Sequence, residues 1–324
     1  MISGDAPIPP AGAPRSRLEA LLRGGQFVVT AEMQATDGAD PAEVRELAAG
    51  LVGVVDAANC TDNAAAHPHL SSVAAAHLAL DAGLEPIVQL TCRDRNRIGL
   101  QGDLLGATAL GARNVMLMTG DDVGAGDHPD TRPIFDLDSL HALRIARVLR
   151  DEGRYLSGRR LSTPPAYFVG AVENPFAPPH DYRPVRLAKK IEAGAEFIQT
   201  QICFNVPRLR AFMAAAADLG LLERSFILVS VYVARSERAL RHLRDVVPGI
   251  DVPEEVMGRL AGLPRERQEA EGFRLALETV AAIRELPGVA GVHLSSIRGQ
   301  DAIRRLVAET GLLPRPAPPV AVPA

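Results

Sequence analysis

Asn114–Asp122 reads NVMLMTGDD, an unbroken apolar run that stops at Thr119 and Gly120 and is followed at once by two carboxylates. A run this short and this apolar suits a strand buried on both faces, as in a parallel sheet. Glycine and then acid where such a strand ends puts charge at the mouth of the sheet, the edge at which α/β proteins bind ligands. Asp121 or Asp122 could equally cap a helix or close a turn, so the local pattern leaves a structural reading open beside the functional one.

The same grammar repeats along the chain. Strand candidates are FVVTAE from Phe27, VVDAAN from Val54, PIVQLT from Pro86, NVMLMT from Asn114, AYFVGA from Ala166, EFIQTQ from Glu196, FILVSV from Phe226 and VAGVHL from Val289. Segments of helical period separate them, with a long helical pair expected between Arg235 and Leu286, and glycines stand at helix ends at Gly83, Gly111, Gly194 and Gly220. Eight strands each followed by helix predict a single (β/α)8 TIM barrel over 16–313, with extra helices between the seventh and eighth strands. The competing arrangement is an open α/β sheet capped by the helices from Arg235 to Leu286. Residues 1–15 and 314–324, rich in Pro, Gly and Ala, read as flexible tails.

The composition, 47% hydrophobic with 4% aromatic residues and no Trp, calls for a core of Ala, Val, Ile and Leu. A formal charge of -4 with dispersed arginines gives no footprint for nucleic acid. The chain shows neither an apolar span of membrane length nor a secretory signal, which points to the cytoplasm and to no membrane partner. Cys60, Cys92 and Cys203 are too far apart for a disulfide framework or a conventional zinc site, and His67 and His69 lack supporting carboxylates or thiols, so no metal is expected.

In a barrel the C-terminal strand ends carry the site. They hold Glu32, Asn59 to Asn63, Gln89, Thr91 to Asn96, Thr119 to Asp122, Glu173, Asn174, Thr200, Gln201, Ser230, Tyr232, Ser295, Ser296 and Arg298. A carboxylic acid at the end of an apolar strand, as at Glu32, can have its pKa raised and serve as a general acid. A fixed carboxylate such as Asp121 favours a nearby cation.

Six segments in order, AEM (31–33), DAANCTDN (56–63), QLTCRDRNR (89–97), MTGDD (118–122), IFDLDS (134–139) and KKIEAGAEFIQTQ (189–201), resemble the flavin-dependent methylenetetrahydrofolate reductases. The resemblance runs from about Phe27 to about Arg298. It implies an FAD-containing barrel that reduces 5,10-methylenetetrahydrofolate to 5-methyltetrahydrofolate with electrons from NADH or NADPH. By this resemblance Glu32 is the catalytic acid and Asp121 the carboxylate beside flavin and pterin. Gln201 contacts folate and nicotinamide. Thr61 and Asn63 contact flavin or nicotinamide; Gln89, Thr119, Gly120, Phe135, Asp136 and Asn174 line the cofactor; Lys189 and Lys190 reach its phosphates. Tyr232 and Arg298 are further substrate contacts, Arg298 toward the folate tail.

The chain also departs from the best-studied branch. MQATDG follows Glu32 where that branch is aromatic, Thr119 stands in place of an arginine, and Gln89 in place of a histidine. Arg93 or Arg95 is left to supply the missing charge. At the position of the stacking aromatic after the seventh strand the register gives Ala234, with Tyr232 nearby. These departures keep a second expectation open: a non-catalytic flavin- or folate-binding subunit acting through a partner. A homo-oligomer is equally compatible with the sequence.

Overall fold

The computed structural model describes residues 12–296 and 299–318. Among them eight strands pair in chain order, each parallel to the next: β1 (Val28–Met33), β2 (Ala57–Cys60), β3 (Pro86–Thr91), β4 (Asn114–Met118), β5 (Phe168–Glu173), β6 (Phe197–Ile202), β7 (Phe226–Tyr232) and β8 (Val289–Ser295). β8 closes on β1 through Val28↔Gly291 to Ala31↔Leu294, so the sheet is a closed barrel rather than an open one. The second strand begins at Ala57 rather than Val54. Val54 and Val55 are buried among the surrounding apolar side chains, and Asp56 turns its carboxylate onto the backbone N–H of Val29 at 2.8 Å.

The helices are α1 (Arg17–Arg23), α2 (Pro41–Ala49), α3 (Ser72–Asp81), α4 (Arg97–Ala109), α5 (Ser139–Arg147), α6 (Arg183–Ala193), α7 (Val206–Asp218), α8 (Glu237–Val246), α9 (Glu254–Leu260), α10 (Arg265–Arg284) and α11 (Gln300–Glu309). The expected pair after β7 is three helices. Pro253 and Pro264 take the N-cap positions of α9 and α10, where a missing N–H costs nothing, and so divide the segment. Helix α1 has no counterpart in the periodicity reading, being seven residues long. Ser16 caps it by accepting from the N–H of Glu19, and its buried face, Leu18, Leu21 and Leu22, plugs the barrel floor. Burying each of those leucines is worth roughly 1.5–3 kcal/mol, which holds so short a helix in place.

Side chains inside the barrel form layers. The lowest, against α1, comprises Val28, Ala57, Ile87, Met116, Phe168, Phe197 and Leu228. Phe168 and Phe197 stack with centroids 4.9 Å apart, and Gly170 makes room for them: a Cβ there would lie 2.2 Å from the Phe197 ring. Strand side chains alternate between faces, so residues two and four positions further on rise toward the opposite mouth.

At the closed end Arg315, from the segment read as a tail, is buried against Asp56 and also donates to the carbonyl of Phe27 at 2.8 Å. Arg17 adds a second contact to Asp56 at 3.1 Å. Among the described residues no helix is long and apolar enough to cross a membrane.

Candidate active site

The C-terminal strand ends enclose a cleft of about 300 Å³ whose walls come from β1 through β5 and from α5 and α6. Glu32 stands on β1, two residues above Thr30 and four above Val28 on the inward face. Among the described residues it makes no hydrogen bond or ion pair. By accessible surface it is the exposed residue of an otherwise buried strand, opening into the cleft at the mouth; the protein packed around and beneath it raises its pKa above the ordinary carboxylate value. Asp121, just past β4, lines the same cleft. The two carboxyls that sequence placed on one rim therefore share one pocket.

Gly120 sets the path of the chain into Asp121. Its φ is +96°, and a Cβ there would meet Arg93 Cβ at 3.0 Å and Thr91 Cβ at 3.1 Å. Only glycine takes this turn without strain. On the β2 side, Asn63, Ala65 and Ala66 all have positive φ (48°, 52° and 59°). Alanine in this region costs on the order of 1 kcal/mol or more, and the loop is held by neighbours. The Asn63 side chain accepts from His69 N at 3.1 Å and donates to Asp94 at 3.2 Å, while Gly126 lies so close to the Ala66 carbonyl that a Cβ would fall 2.0 Å from it.

Thr61, Gln89 and Thr119 also line the cleft. Thr61 Oγ1 is buried with no partner among the described residues, which suits a polar ligand edge. The cations are arranged differently from expectation. Arg93 is clamped by Asp94 at 2.6 and 2.7 Å and by the Asn63 carbonyl at 3.0 Å. Arg95 turns inward, to Asp62 and to Asp103 at 2.9 Å, and Asp62 also takes the Thr91 N–H at 2.7 Å. Lys190 is buried and paired with Glu173 at 2.8 Å and with the Val172 carbonyl; burial lowers its pKa and Glu173 opposes that.

Several expected residues lie away from this cleft. Lys189 donates to the Tyr182 hydroxyl at 2.8 Å on the outside of α6. Asp136 pairs with Arg97 at 2.8 Å, and its neighbour Phe135 is 38% exposed with a φ of +36°. Asn174 donates to the Gly249 carbonyl at 2.8 Å. Gln201 accepts from Ile202 N at 2.9 Å, Tyr232 is buried among the residues around α8 and α9, and Arg298 lies outside the described residues. Sequence reasoning passed over Ser139 and Arg186 as lining residues, since helix starts and helix faces carry no strand-end signal.

The donor set thus divides the expected cofactor. Thr61, Asn63, Gln89, Gly120 and Asp121 fit the polar edge of a flat heteroaromatic ring. For the pyrophosphate of FAD, Lys190, Arg93 and Arg95 are each already paired with a carboxylate of this chain and Lys189 points elsewhere, which leaves Arg186, on the cleft wall and 3.8 Å from Glu173, as the cation open to it among the described residues. Buried cations already paired would have to give up those carboxylates to accept phosphate. Among the described residues no three His, Cys, Asp or Glu side chains gather to hold a metal.

A relative from Caenorhabditis elegans, named as a probable methylenetetrahydrofolate reductase (NADPH), is 21% identical over 299 residues, 91% of this chain. The chain spans 39% of that relative's length. Among solved structures, an uncharacterized protein from Clostridium thermocellum that binds two copies of 5-methyl-5,6,7,8-tetrahydrofolic acid superposes with a TM-score of 0.65 at 12% identity, covering 92% of this chain and all (100%) of that one. An EDTA monooxygenase from Chelativorans sp. BNC1 shares the fold at a TM-score of 0.55 and 12% identity, over 90% of this chain and 95% of its own. The family model for methylenetetrahydrofolate reductase matches residues 17–311, and with that span, the closed barrel and the shared cleft of Glu32 and Asp121, the chain belongs to the methylenetetrahydrofolate reductase family.

Proposed function

We propose that this chain reduces 5,10-methylenetetrahydrofolate to 5-methyltetrahydrofolate with electrons from NADH or NADPH. The observation that carries the reading is that Glu32, a carboxyl whose pKa is raised, shares one cleft of about 300 Å³ with a second carboxyl, Asp121. The substrate's five-membered ring opens when the bond between N10 and the methylene carbon breaks. Glu32 gives its proton to N10 and leaves a cationic iminium at N5. The Asp121 carboxylate stabilises that cation electrostatically. Hydride then reaches the methylene carbon and completes the methyl group. Thr61 and Gln89 offer hydrogen-bonding groups for a pterin or nicotinamide edge.

The family resemblance adds FAD as the carrier between nicotinamide and folate. The paired state of Arg93, Arg95 and Lys190 favours a second reading, in which nicotinamide passes hydride to the iminium directly. The folate bound by the Clostridium thermocellum structure supports folate as the ligand in either case.

The visible absorption spectrum of the purified protein, followed by anaerobic addition of NADH or NADPH, distinguishes the two. A yellow protein that bleaches with nicotinamide and recovers its colour on adding 5,10-methylenetetrahydrofolate supports FAD. A colourless protein that oxidises nicotinamide only when folate is present supports direct transfer. Absence of folate-dependent turnover with either donor would sink the reductase reading and leave a binding subunit.

A further inference from the structure

One layer below the cleft the barrel interior is polar where apolar packing would be expected. Thr30 on β1, Asn59 on β2, Gln199 on β6 and His293 on β8 are 0%, 1%, 2% and 5% exposed. Asn59 and Gln199 exchange a pair of amide hydrogen bonds of 2.7 and 3.1 Å across the lumen. His293 Nδ1 lies 3.1 Å from Thr30 Oγ1 and its Nε2 lies 3.5 Å from Asn59 Nδ2. Gln199 Nε2 also donates to Thr30 Oγ1 at 3.4 Å, and that hydroxyl donates to the Val292 carbonyl at 3.4 Å.

The side-chain protons of this layer are all used by one arrangement. Each amide nitrogen spends both hydrogens, the Thr30 hydroxyl spends its own, and the imidazole is left with hydrogen on Nδ1 and a lone pair on Nε2 facing Asn59. A second imidazole proton would meet an N–H donor head on. Burial acts in the same sense and pushes the His293 pKa down to about 4, so the layer is uncharged in the working range.

Each member also stands two residues before an inward position at the mouth: Thr30 below Glu32, Asn59 below Thr61, Gln199 below Gln201, His293 below Ser295. Glu32 and Asn59 are register partners on adjacent strands. We infer that Thr30, Asn59, Gln199 and His293 form a positioning floor that fixes the height of Glu32 and keeps water and charge from beneath its carboxyl, so that its proton exchanges through the cleft alone. This rests on the reading of Glu32 as the acid. Among the described residues the charged groups lining the cleft with Glu32 are Asp62, Arg93, Asp121, Arg186 and Lys190, with Glu173 behind Lys190, and His293 is the titratable group of the layer below.

Gln199→Ala removes one side of the amide pair and opens space for water under Glu32. The alkaline limb of folate reduction is expected to move toward acid by about one pH unit, as restored solvation lowers the carboxyl pKa. With it, kcat falls about tenfold while KM stays within about twofold. The double variant Asn59→Leu/Gln199→Met refills the space with apolar atoms and orphans neither amide, so its alkaline limb should stay in place. Gln199→Asn opens part of the same space if the alanine variant does not fold.

A wild-type pH profile in a folded Gln199→Ala or Gln199→Asn protein, or a double variant displaced as far as the single, overturns the inference. Infrared difference spectra of wild type against Glu32→Gln, titrated for the protonated carboxyl band, read the same shift without turnover. Were the wild type to show no folate reduction, the reductase reading would fail while this titration still tested the floor.

Discussion

Replacing Glu32 by glutamine keeps the size and polarity of the side chain and removes the proton it can give. If Glu32 supplies the N10 proton, folate reduction should fall about 100- to 10,000-fold, the usual worth of positioned acid catalysis, or about 2.7 to 5.4 kcal/mol of barrier. The loss should fall on kcat, because the amide still fills the same wall of the cleft. A second consequence follows from the raised pKa. Between the ordinary carboxylate pKa and its own higher value, the folded chain holds a proton at Glu32 that the unfolded chain has released. Stability therefore falls as pH rises through that interval, and below it the residue contributes no pH dependence. The Glu32→Gln variant lacks this decline and should be the more stable protein at neutral pH, while the two melt alike in acid. Stopped-flow reduction of 5,10-methylenetetrahydrofolate and thermal melts across the pH range read both effects on the same samples. A variant that keeps wild-type folate reduction refutes the acid role. One that loses activity and stability together at every pH shows that Glu32 is a structural residue.

Three further outcomes are expected. Gly120→Ala forces a side chain into positive φ against Thr91 and Arg93, which should cost about 1–3 kcal/mol in denaturant melts and displace Asp121, seen as a lower kcat. Arg315→Met leaves Asp56 buried with Arg17 and the Val29 N–H as its remaining partners, so the loss should sit near the low end of the roughly 3–5 kcal/mol for breaking a buried pair, a fall in Tm of about 4 °C; an unchanged Tm would show the closed end to be indifferent to this segment. Neutral His293 predicts stability that is full above its unfolded pKa and is lost as pH falls toward about 4, by on the order of 3 kcal/mol, and His293→Asn should flatten that part of the stability curve.

Much of the architecture was legible before any coordinates. Eight apolar runs, each closed by polar residues and followed by helical period, placed every strand within a few residues, because both faces of a parallel strand are covered and the run is visible in composition alone. The glycine and acids after NVMLM marked the mouth correctly, and Glu32 and Asp121 do meet there. Helix α1 escaped notice because seven residues carry too little periodicity, and its existence depends on the barrel floor it covers. Gln199 could have been found: in EFIQTQ the two glutamines are spaced by two, so both face inward.

Which cations are free to hold a ligand was another matter. CRDRN and KK read as basic segments, yet Arg93 meets its neighbour Asp94, Arg95 meets Asp62 33 positions back, and Lys190 meets Glu173 17 positions back. A charge pattern along the chain records what each side chain can offer. Whether that offer is already taken depends on distances of a few ångströms between segments remote in sequence, and those are set only when the sheet closes and brings each strand end against its neighbours.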